Sequence, residues 1–266
     1  MDWVAPHLTG GLGNRLFTYA AAAAAAKKWG RRVVFFMPRC GETSHGPFDS
    51  IFKLLPSVPI LQTAAEWHTV LELKGTLFIY QPFSEVAPSP LPCVIHGWRQ
   101  TEKYFEDVPV HVDFEGALGS RAVAIRHTIK ETSWFMHVRL GDYKILAHHQ
   151  VDLTNYYTFC LKQIPLGSTV VFFSDEPELC AHIYKGIVEG IGLTFQIFDS
   201  KDEVESLYAM SLCKGGAIVA NSTFSWWGAY FARQGAGPAF KAYYPSVWGS
   251  ALPPPTDVTP SWGISV

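Results

Sequence analysis

Apolar and polar positions alternate in two regimes along the chain. Near the start, residues 3–8 form a short apolar run that predicts a strand. The turn Gly10-Gly11-Leu12-Gly13-Asn14 follows, then a helical stretch over about 15–29 whose alanine run makes it narrow enough to lie close on a sheet. Residues 32–37 predict the next strand, because Val33-Val34-Phe35-Phe36 is apolar, β-branched and aromatic. Over 38–92 the pattern breaks at Pro38, Pro47, Pro56, Pro59, Pro82, Pro88, Pro90 and Pro92. Short strands are expected there at 76–80 and at 93–98, the latter leading into a helix from about Thr101.

From Thr132 the pattern becomes regular. Strands are expected at 134–138, 169–173, 194–198, 216–220 and 239–244, with helices at 155–163, 177–188, 204–213 and 223–233 between them. Strands separated by helices of about 10–15 residues imply βαβ units and a mostly parallel sheet, an α/β fold. The same reading covers the first hundred or so residues less regularly. Two α/β units joined around 115–132 would make a cleft, and the division expected is 1–125 and 126–266, with the C-terminal tail able to pack back on the first.

Composition narrows the function classes. With 266 residues, 48% of them hydrophobic and 17% charged, the chain has apolar material for a folded core, which excludes general disorder. Twenty-one Lys and Arg against 23 Asp and Glu leave a net charge of -2 and no basic block as a footprint for nucleic acid. Cys40, Cys93, Cys160, Cys180 and Cys213 are scattered without a C-x-x-C spacing, so neither a disulfide framework nor a zinc knuckle is expected. The first residues lack a basic start and apolar run, and the alanine run is too short to span a bilayer, so the expectation is a soluble, cytoplasmic protein without a membrane anchor.

Ligands of parallel α/β sheets bind beyond the carboxyl ends of the strands. Four such places carry polar chemistry. Gly10, Gly11 and Gly13 with Asn14 open a helix whose free N–H groups can meet an anion or a polar sugar edge, although neither a P-loop nor a G-x-G-x-x-G fingerprint is present. His137 and Arg139 share one strand face ahead of Asp142, and the arginine fork suits a diphosphate. Asp175 and Glu176 end a strand where a carboxylate can accept from ribose or guanine, or cap the next helix. Asn221, Ser222, Thr223, Phe224 and Ser225 start a helix that forms a second anion cradle. No Asp-x-Asp triplet is present to hold a divalent ion against a diphosphate. His148-His149 lacks i, i+4 partners, so no metal is expected. No G-x-S-x-G elbow points to a hydrolase.

Six segments in order resemble the α-1,2-fucosyltransferases of glycosyltransferase family 11. They are Gly10-Gly11-Leu12-Gly13-Asn14-Arg15-Leu16-Phe17, Gly97-Trp98-Arg99-Gln100-Thr101-Glu102-Lys103-Tyr104-Phe105, His137-Val138-Arg139-Leu140-Gly141-Asp142-Tyr143, Phe173-Ser174-Asp175-Glu176, Leu207-Tyr208-Ala209-Met210-Ser211-Leu212-Cys213-Lys214, and the stretch from Ala220 to Ala229. Leu140 departs from a second arginine often found there, and Arg15-Leu16 from Gln-Met. The resemblance implies a GT-B fold of two Rossmann-like halves facing a cleft. It also implies inverting, metal-independent transfer of L-fucose from GDP-β-L-fucose to a glycan hydroxyl such as the 2-OH of a terminal galactose.

By the same resemblance Arg139 would neutralise the diphosphate, with His137 and Asp142 shaping that site. Asp175 would lie at the guanosine end, Ser222, Thr223 and Phe224 along the phosphates and ring, and Asn14 with its glycines near the transferred sugar. Asp142, His96 and Asn14 are the candidates to orient or deprotonate the acceptor, and only the first two can act as a base. His96, Trp98 and Trp226 are the expected acceptor contacts. The alternatives are an enzyme of the same fold using GDP-mannose or a UDP-sugar, and a non-catalytic glycan binder stacking sugars on Trp98, Trp226 or Trp248.

Overall fold

Every strand pairing among the described residues is parallel. The computed structural model describes residues 3–41, 46–62, 71–75, 78–141, 150–250, 252 and 255–266. Contacts group the chain into one unit of Met1–Ala117 with Thr256–Pro260 and a second of Leu118–Pro255 with Ser261–Val266. The change of unit thus lies between Ala117 and Leu118, where the pattern suggested 125/126.

Unit 1 begins with β1 (Trp3–Pro6), α1 (Leu12–Lys28), β2 (Arg32–Val33) and β3 (Phe35–Phe36), then α2 (Asp49–Leu54), β4 (Ile60–Leu61), β5 (Leu71–Leu73) and β6 (Cys93–Ile95). Its main sheet has the order β2-β1-β6-β5. The chain leaves β1 on one side for β2 and returns on the other at β6, so the topological switch point lies at the carboxyl ends of β1 and β6. Buried alanines from Ala20 to Ala26 let α1 lie against β1. Trp3, Ala5, Val34, Phe36 and Val94 fill the other side.

Three expectations for this unit are corrected. The strand over 32–37 is split, because Val34 donates to Val4 O (3.0 Å) while Phe35 donates to Pro59 O (2.8 Å), so β3 leaves the main sheet to pair with β4. For the strand over 76–80, residues 76 and 77 lie outside the described residues and 78–80 is not extended ladder. Asp257 instead donates its N–H to Phe78 O (3.1 Å) and accepts from Tyr80 N at 2.7 Å. The helix from Thr101 is one 3-10 turn, Glu102–Tyr104, capped by the Thr101 hydroxyl. Pro109 disfavours helical backbone at Val108 and the turn goes no further.

The stretch expected to link the units instead carries α3 (Phe114–Leu118) and α4 (Ser120–Thr128). Unit 2 then follows the predicted alternation: β7 (Trp134–Val138), α5 (Thr154–Leu161), β8 (Thr169–Ser174), α6 (Pro177–Gly190), β9 (Thr194–Ile197), α7 (Glu203–Leu212), β10 (Gly216–Ile218), α8 (Thr223–Ala236), β11 (Ala242–Tyr244) and the unpredicted β12 (Ile264–Ser265). The order β12-β11-β10-β7-β8-β9 puts the switch point between β7 and β10.

Alternation along β7 sorts its side chains. Trp134, Met136 and Val138 enter a core with Tyr156, Tyr157, Cys160, Phe172 and Tyr184, where a fully buried apolar side chain contributes about 1.5–3 kcal/mol. Phe135 and His137 face the other way, Phe135 edge-on to Phe173 (6.1 Å between ring centres) and His137 beside Phe224 (6.0 Å). Tyrosines of α5 tie down the strand ends: Tyr157 Oη donates to His137 O (3.0 Å), and Tyr156 Oη lies 2.8 and 2.7 Å from Val219 O and Tyr243 O. All five cysteines are free thiols. Among the described residues no helix is long and apolar enough to cross a membrane.

Candidate active site

The segments after β7 and β10 meet at the unit-2 switch point. Asp175, just past β8, accepts the N–H groups of Leu140 (2.9 Å) and Gly141 (3.0 Å) on its two oxygens. The Arg139 Nε lies 3.1 Å from the same carboxylate. One carboxylate therefore holds the turn after β7 and the plane of the guanidinium together. A Cβ at position 141 would fall 2.6 Å from Asp175 Oδ2, so only glycine admits this approach. Asp175, expected at the guanosine end, anchors the arginine turn. Glu176 is exposed at the start of α6, its N–H donating to Ser174 Oγ at 3.1 Å. Asp142 and the His148-His149 pair lie outside the described residues.

His137 sits beneath the arginine. It is 4% exposed and its Nδ1 is buried without a hydrogen-bond partner. Burial first, then the neighbouring Arg139 charge, push its pKa down to about 3 against an opposing pull from Asp175. The ring is thus neutral at neutral pH. It backs the site without adding a second positive charge.

After β10, Ser222 caps α8 with its hydroxyl accepting from Phe224 N–H (3.3 Å), and Thr223 opens the helix. The exposed end of such a helix directs N–H dipoles outward and favours an anion. Ser225 is a correction: its hydroxyl is fully buried, accepts from Ala220 N–H (3.2 Å) and donates to Ser222 O (3.2 Å), so it builds the turn and does not face a ligand. Asn221 is buried and its Nδ2 donates to Trp248 O at 3.1 Å. A cavity of about 450 Å³ opens here, lined by Arg139, Leu140, Asp152, Thr154, Tyr157 and Asn221 among others. That volume falls within the roughly 300–1,000 Å³ of small-molecule sites. No motif pointed to Thr154 or Tyr157; only their place on the helix after β7 could have.

Trp226 is also corrected. It is completely buried, stacked on Tyr230 (5.6 Å, 16°) and edge-on to Trp227 (5.2 Å), so it is core and no acceptor platform.

The remaining expected residues belong to unit 1. Gly10 has φ +69, and a Cβ there would lie 2.7 Å from Asn14 Nδ2 and 3.0 Å from the Trp98 ring. Gly11 O accepts the first helical N–H groups, from Asn14 (3.0 Å) and Arg15 (3.1 Å), while Gly13 is buried inside α1. Asn14 Oδ1 accepts from Gln100 Nε2 (2.8 Å). Arg15 is fully buried and donates to Pro47 O (2.6 Å) and Gly46 O (2.8 Å), a clamp on that loop. Trp98 keeps 36% of its surface exposed. His96, past β6, stacks on His7, past β1, at 4.1 Å and 19°. Sequence reading missed His7, although its position directly after the first strand was the available signal. Among the described residues, no group of three or more His, Cys, Asp or Glu side chains is arranged to hold a metal ion.

The model of the Glycosyl transferase family 11 matches residues 6–237. The chain belongs to glycosyl transferase family 11. A curated relative, the α-1,2-colitosyltransferase of Escherichia coli, is 24% identical over 261 residues, covering 86% of this chain and 88% of that protein. The Bradyrhizobium fucosyltransferase NodZ superposes with a TM-score of 0.50 at 15% identity, over 85% of this chain and 91% of that one. NodZ has also been solved as an α-1,6-fucosyltransferase soaked with GDP-fucose. Arabidopsis thaliana FUT1, as a point mutant in complex with GDP, gives 0.51 at 12% identity, over 91% of this chain and 69% of that one. At these identities the likeness is one of fold, the GT-B type with Rossmann-like units. Within this family 11 chain, the six ordered segments divide between the two units described above.

Proposed function

We propose that the chain is an inverting, metal-independent fucosyltransferase that moves L-fucose from GDP-β-L-fucose to a glycan hydroxyl, with the 2-OH of a terminal galactose as the acceptor position. The observation that carries this reading is the convergence of Arg139, held by Asp175, with the start of α8 beside a cavity at the unit-2 switch point. In the reaction the bond from the sugar C1 to the β-phosphate oxygen breaks and its electron pair leaves on GDP. The acceptor oxygen bonds C1 from the opposite face and loses its proton. The negative charge that grows on the leaving diphosphate is the quantity a fixed cation and helix N–H groups stabilise. Arg139 supplies the first and residues 222–224 the second.

Asp175 acts through Arg139, and neutral His137 keeps the floor of the site dry. Membership of family 11 and a neighbour soaked with GDP-fucose support the donor, and a relative named for α-1,2 transfer supports the linkage. The same relative motivates one variation, an enzyme of this mechanism whose activated sugar is colitose.

The test is transfer from GDP-fucose to galactose-terminated oligosaccharides, with the product linkage read by NMR and a parallel arm supplying nucleotide-activated colitose. A new α-fucosyl residue on O2 of galactose, formed equally in the presence of EDTA, is expected. Transfer of colitose alone would replace the donor, and no transfer from either donor would overturn the reading.

A further inference from the structure

The cavity of unit 2 carries charge of both signs. Among the described residues that line it, Arg139 is the one cation and Asp152 the one acid. Asp152 stands just ahead of α5 and accepts the Thr154 N–H at 2.9 Å. Hydrogen bonds from the Thr154 hydroxyl and N–H hold its carboxyl below the usual range, so it is ionised at neutral pH. An anion on the wall of a site that takes a diphosphate repels the ligand unless it meets hydrogen-bond donors on it. Asp175 spends its two oxygens on the N–H groups of Leu140 and Gly141 and also meets Arg139. Asp152 gives one oxygen to Thr154, and a carboxylate with about four lone-pair sites keeps room for further donors.

Tyr184, on α6, lines the same cavity. Its ring packs against Phe172 (5.6 Å between ring centres, 31°) and edge-on to Tyr157 (5.9 Å, 84°). Burial first, then Cys180 and the charge of Asp152, push its hydroxyl pKa up to about 12. The phenol therefore keeps its proton and can donate it to a hydrogen bond.

We infer that Asp152 is the residue that selects the nucleobase: its carboxylate accepts from N1–H and the N2 amino group of guanine, while the Tyr184 hydroxyl donates to O6. The inference rests on the fucosyl-transfer reading above and names what selects its guanine nucleotide. Guanine is the base whose pairing edge sets two adjacent N–H donors beside a carbonyl. Uracil flanks its single N–H with carbonyls on both sides, and one of them would face the carboxylate. Adenine would present a bare ring nitrogen where guanine has N1–H. One cavity thus offers a cation for the diphosphate and a fixed acceptor for the base.

Calorimetric titration of the intact protein with GDP, inosine diphosphate (IDP) and UDP compares the wild type, Asp152→Asn and Tyr184→Phe. Asparagine can still cap Thr154, so the fold is kept. IDP lacks the N2 amino group and retains O6. The wild type is expected to bind GDP more tightly than IDP or UDP. Asp152→Asn should weaken GDP about tenfold or more, bring it level with IDP and move UDP by less than about twofold. Tyr184→Phe should weaken GDP and IDP alike, about threefold or more. Equal losses of GDP and UDP in Asp152→Asn, the outcome of a carboxylate on the ribose hydroxyls, would overturn the inference, as would an unchanged gap between GDP and IDP. Unchanged GDP and IDP affinity in Tyr184→Phe would remove the phenol from it. Wild-type protein that binds neither GDP nor UDP would instead bring down the reading of the function itself, and this assignment with it.

Discussion

The two switch points present different chemistry on the same topology. At the end of β7, unit 2 offers a fixed guanidinium anchored by Asp175, a helix start and a buried, neutral His137. At the ends of β1 and β6, unit 1 offers stacked imidazoles, an amide pair from Asn14 and Gln100, and the half-exposed Trp98. The first is built around a charge that cannot titrate, which suits a diphosphate whose charge grows in the transition state. The second is built from groups that titrate or that donate and accept at once, which suits sugar hydroxyls. A parallel sheet fixes where a ligand sits, and the side chains past the strand ends decide which ligand it is.

Substitutions can break this contrast at several levels. The largest effect should be on stability: Trp226→Ala removes a fully buried ring and is expected to cost about 3–5 kcal/mol in urea unfolding. Trp98→Ala should cost under about 1 kcal/mol there and raise only the acceptor KM. Similar acceptor effects from both would return Trp226 to the site. Next, Arg139→Ala should lose about 3 kcal/mol of transition-state stabilisation, seen as a fall in kcat of at least about 100-fold. An acceptor-only effect would move the charge chemistry out of unit 2.

His137 gives a pH signature. Its folded pKa of about 3 lies below the ordinary 6.5. The unfolded chain therefore binds the proton first, and its stability contribution is complete above 6.5 and is lost as pH falls toward 3. His137→Phe should remove about 3 kcal/mol of the stability loss between pH 7 and pH 4. An unchanged pH dependence would mean the ring is solvated. Smallest, Asp175→Asn should lower kcat roughly tenfold by loosening Arg139, about 1.4 kcal/mol, while leaving discrimination between guanine and uracil nucleotides intact. Lost discrimination would put Asp175 at the guanosine end as well.

Much of unit 2 was legible because β7, β8 and β10 are continuous apolar runs set between helices long enough to show their own period, whereas β12, two residues with one of them serine, gave no such run. The strand-end residues His137, Arg139, Ser222 and Thr223 were legible for the same reason, since the end of a strand is a local property. Unit 1 was harder to read because β2, β3 and β4 are two residues long and change partners through single backbone bonds such as Phe35 to Pro59. Contacts that join distant segments carried no local signal. Asp175 reaches back to Leu140, Arg15 forward to Pro47, and His7 across to His96. Adjacent tryptophans gave no hint that both Trp226 and Trp227 are buried, because a neighbouring tyrosine and a remote tryptophan, Tyr230 and Trp262, complete the cluster.

If Arg139 holds the diphosphate of a guanine nucleotide at the unit-2 switch point, its loss must weaken the binding of that nucleotide. Calorimetric titration of the wild type and Arg139→Ala with GDP and with UDP tests it most directly. The wild type is expected to bind GDP more tightly than UDP, and the substitution to weaken GDP at least about tenfold, 1.4 kcal/mol. Equal GDP affinity in the two proteins, or no preference for GDP over UDP in the wild type, would contradict it.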